Sequence, residues 1–252
     1  MAKLSIAVVT YNSRNEISKV LKSIIDNTKK IEYRITVIDN DSTDGTADFV
    51  KSEFPGVDII ETGENRGFGA GHNKMLPADS EFHAVVNPDI TLNGDTFSEL
   101  VSYLEQNPDV AMVTPKVLNS DGTEQHLPKR KPTKRYMLLG RLSRYIKAFK
   151  SVRDEYTRSN DNLTQPTEIE FCTGCFMLMR TELFRKIGGF DEDFFMYLED
   201  ADLSDRIRQY GKIVYNPNSS VYHNWEGGSA KSLTLLKYHF KSMKTYFDKQ
   251  KK

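Results

Sequence analysis

Cysteine is scarce in this sequence, with only Cys172 and Cys175 among 252 residues. Two thiols three positions apart cannot supply the bridges that hold a small secreted domain together, so a disulfide scaffold is excluded. A second Cys-x-x-Cys pair is also missing, which argues against a zinc cage; both thiols are read as packing residues. Net charge is missing as well, since 35 Lys and Arg balance 35 Asp and Glu. Without a global field, nothing points to nucleic acid or to an acidic partner. No apolar run approaches the roughly 18 residues that a bilayer span needs. The opening MAKLSIAVVT is too short in apolar residues for a signal peptide and passes straight into polar TYNSRNE. These absences predict a cytoplasmic chain, at most peripheral to the inner face of the cell membrane. The length suits one large domain with ample sequence for a buried core.

What is present is an alternation of strand-like and helix-like stretches over the first 115 residues. Continuous apolar runs at 4–9, 35–38, 57–60, 84–86 and 110–113 read as buried strands. Between them, Ile17, Val20, Leu21, Ile24 and Ile25 form a helical stripe. Ser13 and Glu16 have the spacing of a capping box at its start. Another helix is expected over 96–106. Repeated β-α units with unbroken apolar strands imply an α/β fold, a mostly parallel sheet covered on both faces. Such sheets bind ligands beyond the carboxyl ends of their strands. Polar residues gather at those ends: Thr10-Tyr11-Asn12, 39–45, 64–67 and Asn87-Pro88-Asp89.

The pattern changes after Pro115. From Gln125 to Arg153 there are ten Lys or Arg and no Asp or Glu. Leu138, Leu142, Tyr145, Ile146 and Phe149 recur at helical spacing between these cations, which predicts a basic amphipathic helix. It either docks on the domain with a solvated charged face or meets an anionic membrane surface. An irregular stretch is expected around 154–165. Later come helices from Thr181 and over 199–210, a short strand at 212–215, and a loop through His223. A terminal helix over 233–247 carries Leu236, Phe240, Met243 and Phe247 on one face.

Six stretches then carry a resemblance. SIAVVTYNS at 5–13, VIDNDSTDGT at 37–46, ENRGFGAGHN at 64–73, NPD at 87–89, GCFMLMRTELFRKIGGFDEDFFMYLEDADLSDR at 174–206 and VYHNWEGGS at 221–229 stand in order. Together they resemble the family 2 inverting glycosyltransferases of the GT-A fold, and the variants NRGFGAGHN, NPD and FFMYLEDADL look most like the rhamnosyltransferase-type branch. The resemblance implies one GT-A domain: a nucleotide-sugar-binding half over 1–115, the basic insertion over 116–168, an acceptor and catalytic half over 169–230, and a C-terminal helix over 231–252. It implies transfer of a sugar, L-rhamnose from dTDP-rhamnose, to a bacterial glycan or polyprenyl-linked acceptor. A UDP-sugar donor is the enzymatic alternative, and a silent nucleotide- or carbohydrate-binding module the non-enzymatic one. A homodimer is compatible with the sequence, which leaves the oligomeric state open.

The roles follow the same pattern. Tyr11 would offer the base a flat surface and Asp39 would accept from its N3–H, with Thr10, Asn12 and Asp41 beside them. Asn65, Arg66 and Gly67 would lie at the donor's phosphates. Asp89 would anchor a divalent metal, Mg²⁺ or Mn²⁺, where related enzymes carry two aspartates. One carboxylate suffices when phosphates and waters complete the shell. Asn87 would bind the ribose or a metal-bound water, and His223 would be a further ligand. Ser229 belongs to a loop expected to fold over the diphosphate. Inversion needs one base to take the proton of the attacking hydroxyl. The family's Glu-Asp pair maps onto Glu199-Asp200, with Asp200 as base. Gly174 would wall the acceptor site, and Asp202 would anchor its helix or touch acceptor.

Overall fold

In the computed structural model the described residues are 2–143, 146–224 and 233–251. The chain opens with β1 (Ala2–Thr10), α1 (Arg14–Asn27), β2 (Tyr33–Asp39), α2 (Thr46–Glu53), β3 (Asp58–Glu61), α3 (Phe68–His72) and β4 (Ser80–Val86). Strands β3-β2-β1-β4 lie side by side and all pair in parallel, as the β-α alternation predicts. Next come β5 (Ile90–Asn93), α4 (Thr96–Gln106) and β6 (Val110–Leu118). The insertion holds α5 (Lys134–Leu142) and α6 (Lys150–Thr157). The remainder is β7 (Thr167–Glu168), β8 (Phe176–Arg180), α7 (Thr181–Lys186), α8 (Glu199–Ile207), β9 (Lys212–His223) and α9 (Leu233–Lys249). β8 enters antiparallel between β4 and β6, and β9 runs parallel to β6 with β5 and β7 antiparallel to it.

Both sheet faces are covered, which is why the strands read as unbroken apolar runs. On one side Leu4, Ile6 and Val8 meet Ile17, Val20, Leu21 and Ile24 of α1 and Phe97, Leu100 and Leu104 of α4. On the other, Val85, Met112, Met177 and Met179 meet Leu183 and Phe184 of α7 and Leu203 and Ile207 of α8. A further cluster joins Tyr136, Met137 and Val152 of the insertion to Phe194, Leu198 and Ala201, and to Met243 and Tyr246 of α9. The insertion and the terminal helix are therefore packed onto the segment before α8.

Several local expectations differ from the structure. The Ser13 hydroxyl donates to the Tyr11 carbonyl at 3.2 Å and makes no cap bond. The start of α1 is tied instead to the next turn: Arg14 N–H donates to Asp44 Oδ2 at 3.1 Å and Ser13 N–H to Thr46 Oγ1 at 3.2 Å. β9 does not stop at Tyr215. Asn216-Pro217-Asn218 has turn chemistry, yet the strand absorbs it in a register shift opposite Pro115 and Lys116 and continues to His223. α8 ends three residues earlier than expected, at Ile207. Part of the stretch expected to be irregular is helical, since α6 runs to Thr157.

The basic amphipathic helix is not one helix. α5 ends at Leu142, residues 144–145 including Tyr145 lie outside the described residues, and a short 3-10 turn at Lys147–Phe149 leads into α6. Tyr136 and Met137 are the buried residues of α5, while Leu138, Leu142 and Ile146 are 52%, 42% and 45% exposed. On α9, Met243 and Tyr246 are buried but Phe240 is half exposed.

Candidate active site

Two cavities open at the carboxyl ends of β1 and β4 and share a wall. One, of about 630 Å³, is lined by Thr10, Tyr11 and Asn12, by Asn65 and Gly67, and by Asn87 and Asp89. The other, of about 840 Å³, is lined by Gly174, Glu199, Asp200 and His223 together with residues of the insertion. Phe68, Asn87 and Met196 face both. The sequence-predicted donor and acceptor residues thus sort largely into adjoining spaces.

At the join, Asp89 and His223 come together because β5 pairs with the end of β9, setting Ile90 opposite His223. Asn224 N–H donates to the Asp89 carbonyl at 3.0 Å and fixes this corner. His223 Nε2 lies 3.3 Å from Asp89 Oδ1. The other ring nitrogen, Nδ1, is 2.9 Å from Gln125 Oε1. Gln125 Nε2 donates to the His223 carbonyl and to Asn119 Oδ1, which fixes which end of the amide faces the ring. Nδ1 therefore carries the proton, and Nε2 presents its lone pair beside the carboxylate, the arrangement of a metal-ligating histidine. Asp89 Oδ1 and His223 Nε2 are both buried with no hydrogen-bond partner. This pair fits a divalent cation. Among the described residues no cluster of three or more His, Cys, Asp or Glu side chains could hold a metal. The rest of any shell would have to come from phosphate oxygens and water, which hard divalent ions accept. A His-carboxylate set suits Mn²⁺ better than Mg²⁺.

Asp200 sits at the start of α8 under two backbone amides. Gly174 N–H donates to Oδ2 at 3.0 Å and Ala201 N–H to Oδ1 at 2.9 Å. Burial raises its pKa, opposed by the Gly174 amide and by the nearby Lys129 ammonium. Glu199 is more deeply enclosed. Burial, with the neighbouring Asp200 charge, pushes its pKa far up, and its Oε2 has no partner. Of this coupled pair Asp200 holds the negative charge and Glu199 the proton, because only Asp200 is served by donors to both oxygens. Two of its neighbours adopt left-handed backbone: Tyr197 at φ 72° and Leu198 at φ 64°. Non-glycine residues there cost about 1–3 kcal/mol each and persist only where the surroundings hold them. α9 does so. Tyr238 stacks on Phe195 at 4.6 Å, His239 meets Tyr197 at 5.4 Å, and Ser242 donates to the Met196 carbonyl at 2.7 Å. No glycine marks this turn, so the sequence gives no signal of it.

The remaining predicted residues are placed as follows. Thr10 is buried and its Oγ1 lacks a partner. Tyr11 is 52% exposed and is not packed on the following helix. Asp39 accepts from Ser42 N–H at 3.0 Å through Oδ2, while Oδ1 is buried and unpartnered. Asn12 Oδ1 is taken by Thr43 N–H at 2.8 Å, so its carbonyl holds the neighbouring turn. Asp39 and the exposed Asp41 lie outside the lining of the smaller cavity. So does Arg66, which pairs with Glu192 at 3.1 Å and Glu64 at 3.6 Å rather than standing free for phosphate. Gly67, at φ 97°, is demanded by a neighbouring backbone: an added Cβ would lie 2.1 Å from the Phe195 carbonyl oxygen. Asp202 turns away from both cavities to Arg206, accepting from Nε at 2.8 Å, and so anchors its helix. Ser229 lies outside the described residues. Cys175 is buried among these charges; burial pushes its thiol up to about 11, and Asp89 and Asp200 add to the push. Gln125 and Lys129, in the irregular start of the insertion, and Met196, within FFMYLEDADL, were not singled out by sequence.

Comparison with known proteins agrees with this geometry. The sequence model described as "Glycosyl transferase family 2" matches residues 5–188, well over half of the chain. A second, "N-terminal domain of galactosyltransferase", matches residues 155–224. An N-acetylglucosaminyl-diphospho-decaprenol L-rhamnosyltransferase of Mycobacterium tuberculosis is 26% identical over 88% of this chain and 76% of its own. The rhamnosyltransferase WbbL of Escherichia coli is 27% identical over 86% of this chain and 82% of its own. Among solved structures, the mannosyltransferase PcManGT of Pyrobaculum calidifontis, in complex with GDP-Man and Mn²⁺, superposes with a TM-score of 0.62 at 19% identity. That match covers 91% of this chain but only 59% of the other.

Proposed function

The chain belongs to glycosyl transferase family 2, and from that premise we propose that it is an inverting rhamnosyltransferase, moving L-rhamnose from dTDP-rhamnose to a lipid-linked glycan precursor. The observation that carries this reading is the set of buried, unpartnered polar atoms at the strand ends. Thr10 Oγ1, Asp89 Oδ1 and His223 Nε2 each lack a hydrogen bond. Leaving such an atom unmade costs about 1–3 kcal/mol, and a bound donor would relieve that cost.

The smaller cavity would take the nucleotide, with Tyr11 against the base; Asp39, buried outside its lining, would act by holding the Ser42 turn. Asp89 and His223 would hold the divalent ion, whose bound charge offsets the diphosphate as it leaves. Asn87, facing both cavities, would steady the sugar between them. Asp200 accepts the proton of the attacking acceptor hydroxyl. The new bond forms at the sugar's C1 as the C1–O bond to phosphate breaks, on the opposite face, so the β-linked donor gives an α-linked product. The raised pKa of Asp200 improves it as a base, since proton transfer is most effective from a group titrating nearer neutrality. Gly174 and Lys129 keep it anionic in the resting enzyme.

The acceptor would arrive from a membrane. Arg141 of α5 lies over the Phe240 ring of α9 at 5.6 Å, so the two helices present one face. Leu138, Leu142 and Phe240 project from it among lysines and arginines, and Leu235 of α9 lines the larger cavity. Exposed apolar residues set among cations suit an anionic lipid surface. Among the described residues no helix is long and apolar enough to cross a membrane, so contact would be peripheral.

A nucleotide-sugar panel tests the donor assignment without knowledge of the acceptor. Metal-dependent binding and slow hydrolysis should be strongest with dTDP-rhamnose. Preference for a UDP-hexose would replace the donor, and turnover of no nucleotide sugar would sink the transfer reading. Sedimentation with anionic and neutral vesicles tests the surface, with retention expected only on the anionic ones.

A further inference from the structure

One hairpin grips the corner where Asp89 and His223 meet. β6 runs beside β9 as far as Leu118, opposite Tyr222, and the chain then reverses. Asn119-Ser120-Asp121-Gly122 makes the turn. Gly122 N–H donates to the Asn119 carbonyl at 2.9 Å, and its φ of 83° is one that glycine adopts freely. Glu124 bridges back to Leu118, and Gln125 N–H donates to the Val117 carbonyl at 2.9 Å. The returning chain thereby carries the Gln125 amide to the His223 ring. Ser120 adds a second tie, donating to Asn224 Oδ1 at 2.6 Å. Asn119, Glu124 and Gln125 also line the larger cavity. The next residue, His126, is held at φ 45°, a left-handed backbone that a non-glycine residue keeps only where its surroundings impose it.

We propose that Gln125 is a positioning residue for the metal: it commits His223 to bind through Nε2 and keeps the ligand pair from satisfying itself. The proposal rests on Asp89 and His223 as the metal pair of the transfer reading. A neutral imidazole can carry its proton on either nitrogen. With the proton on Nε2, His223 would donate to Asp89 Oδ1, 3.3 Å away, and the two groups would be spent on each other. With it on Nδ1, both keep lone pairs for a cation. Gln125 decides between these states, because its Oε1 lies 2.9 Å from Nδ1 and can only accept. The amide cannot turn over to favour the other tautomer. Its Nε2 donates to the His223 carbonyl at 2.8 Å and to Asn119 Oδ1 at 2.9 Å, and a flipped amide would set its oxygen against both. A residue of the acceptor wall thus belongs to the metal centre.

Titrating Mn²⁺ alone into the whole protein, with the free ion read by electron paramagnetic resonance, tests this. Gln125→Leu should weaken binding about 10–100-fold, the usual cost of losing the partner of a ligating histidine. Gln125→Glu keeps an acceptor at Nδ1 and should retain most of the affinity. Ser120→Ala loosens the same hairpin without touching the ring and should bind like the parent. In the metal-free protein, imidazole ¹⁵N shifts should place the His223 proton on Nδ1 in the parent and on Nε2 in Gln125→Leu. The proposal is overturned if Gln125→Leu binds Mn²⁺ like the parent or keeps its proton on Nδ1. It is overturned equally if Ser120→Ala or Gln125→Glu loses as much as Gln125→Leu, or if parent binding is absent or indifferent to Asp89→Ala. No nucleotide sugar enters these measurements, so failure of the donor panel would leave them standing and the two readings fail separately.

Discussion

The donor cavity and the acceptor cavity are built by opposite means. The first is lined mainly by short turns that follow parallel strands, held within a turn, as Asp39 by Ser42 and Asp44 by Thr46, or by the adjoining turn, as Asn12 by Thr43. The second draws its walls from within 119–129, 153–159, 173–175 and 196–200, and from His223 and Leu235, segments far apart in the chain. Local chemistry shapes the donor side, whereas packing of the insertion and α9 shapes the acceptor side.

That contrast can be broken in stages. The largest expected effect is Asp200→Asn, which should cut transfer by about 10²–10⁴-fold while nucleotide-sugar binding persists. Near-normal transfer would remove Asp200 as base. Asp89→Ala, or EDTA on the parent, should cost transfer about 10²-fold or more and weaken donor binding as well, because the countercharge on the leaving diphosphate is lost. A third test separates packing from local structure. Tyr246 is fully buried and its hydroxyl donates to Asp205 at 2.7 Å. Tyr246→Ala should destabilise by about 3–5 kcal/mol, read in a denaturant melt. Transfer should fall further than donor binding, since the cluster it leaves packs directly against Leu198 and Ala201 beside Asp200 and reaches the smaller cavity only through Phe195 and Met196.

The smallest effect concerns pH. Glu199 has a folded pKa raised by burial and by Asp200. A carboxyl raised on folding favours the folded state fully below its unfolded pKa, and that contribution is lost as pH rises toward the folded value. Glu199→Gln should therefore melt like the parent near pH 4 and increasingly above it toward pH 8. The activity profile has the matching sign for Asp200. The acid limb of kcat/KM should lie above the ordinary carboxylate range, because the base is lost as pH falls through its raised pKa.

The same contrast explains what was legible in sequence. Strands β1, β2 and β4 announced themselves because both faces are buried, and α4 was bounded correctly by its apolar period. The polar strand ends named Thr10 and Asp89 before any geometry was known, and the family resemblance named His223. β5 was missed because four residues after Asn-Pro-Asp carry no pattern, and β9 was cut short because a bulge has the composition of a turn. Arg66 looked available for phosphate, but Glu192, far away in the sequence, pairs with it through the tertiary fold. Lys129 was hidden in a basic run whose cations look alike until one of them is enclosed.

The left-handed turn at Tyr197 and Leu198 has a bearing on how the protein is made. Its brace, α9, follows every strand of the sheet in the chain. During synthesis, where earlier segments fold first, the sheet and the nucleotide pocket can form before Tyr238, His239 and Ser242 have left the ribosome. Until they arrive, the turn before Asp200 lacks the stacking of Tyr238 and His239 and the hydrogen bond from Ser242. On the proposed reading, the strands that carry the nucleotide pocket would form ahead of the brace that completes the turn before Asp200.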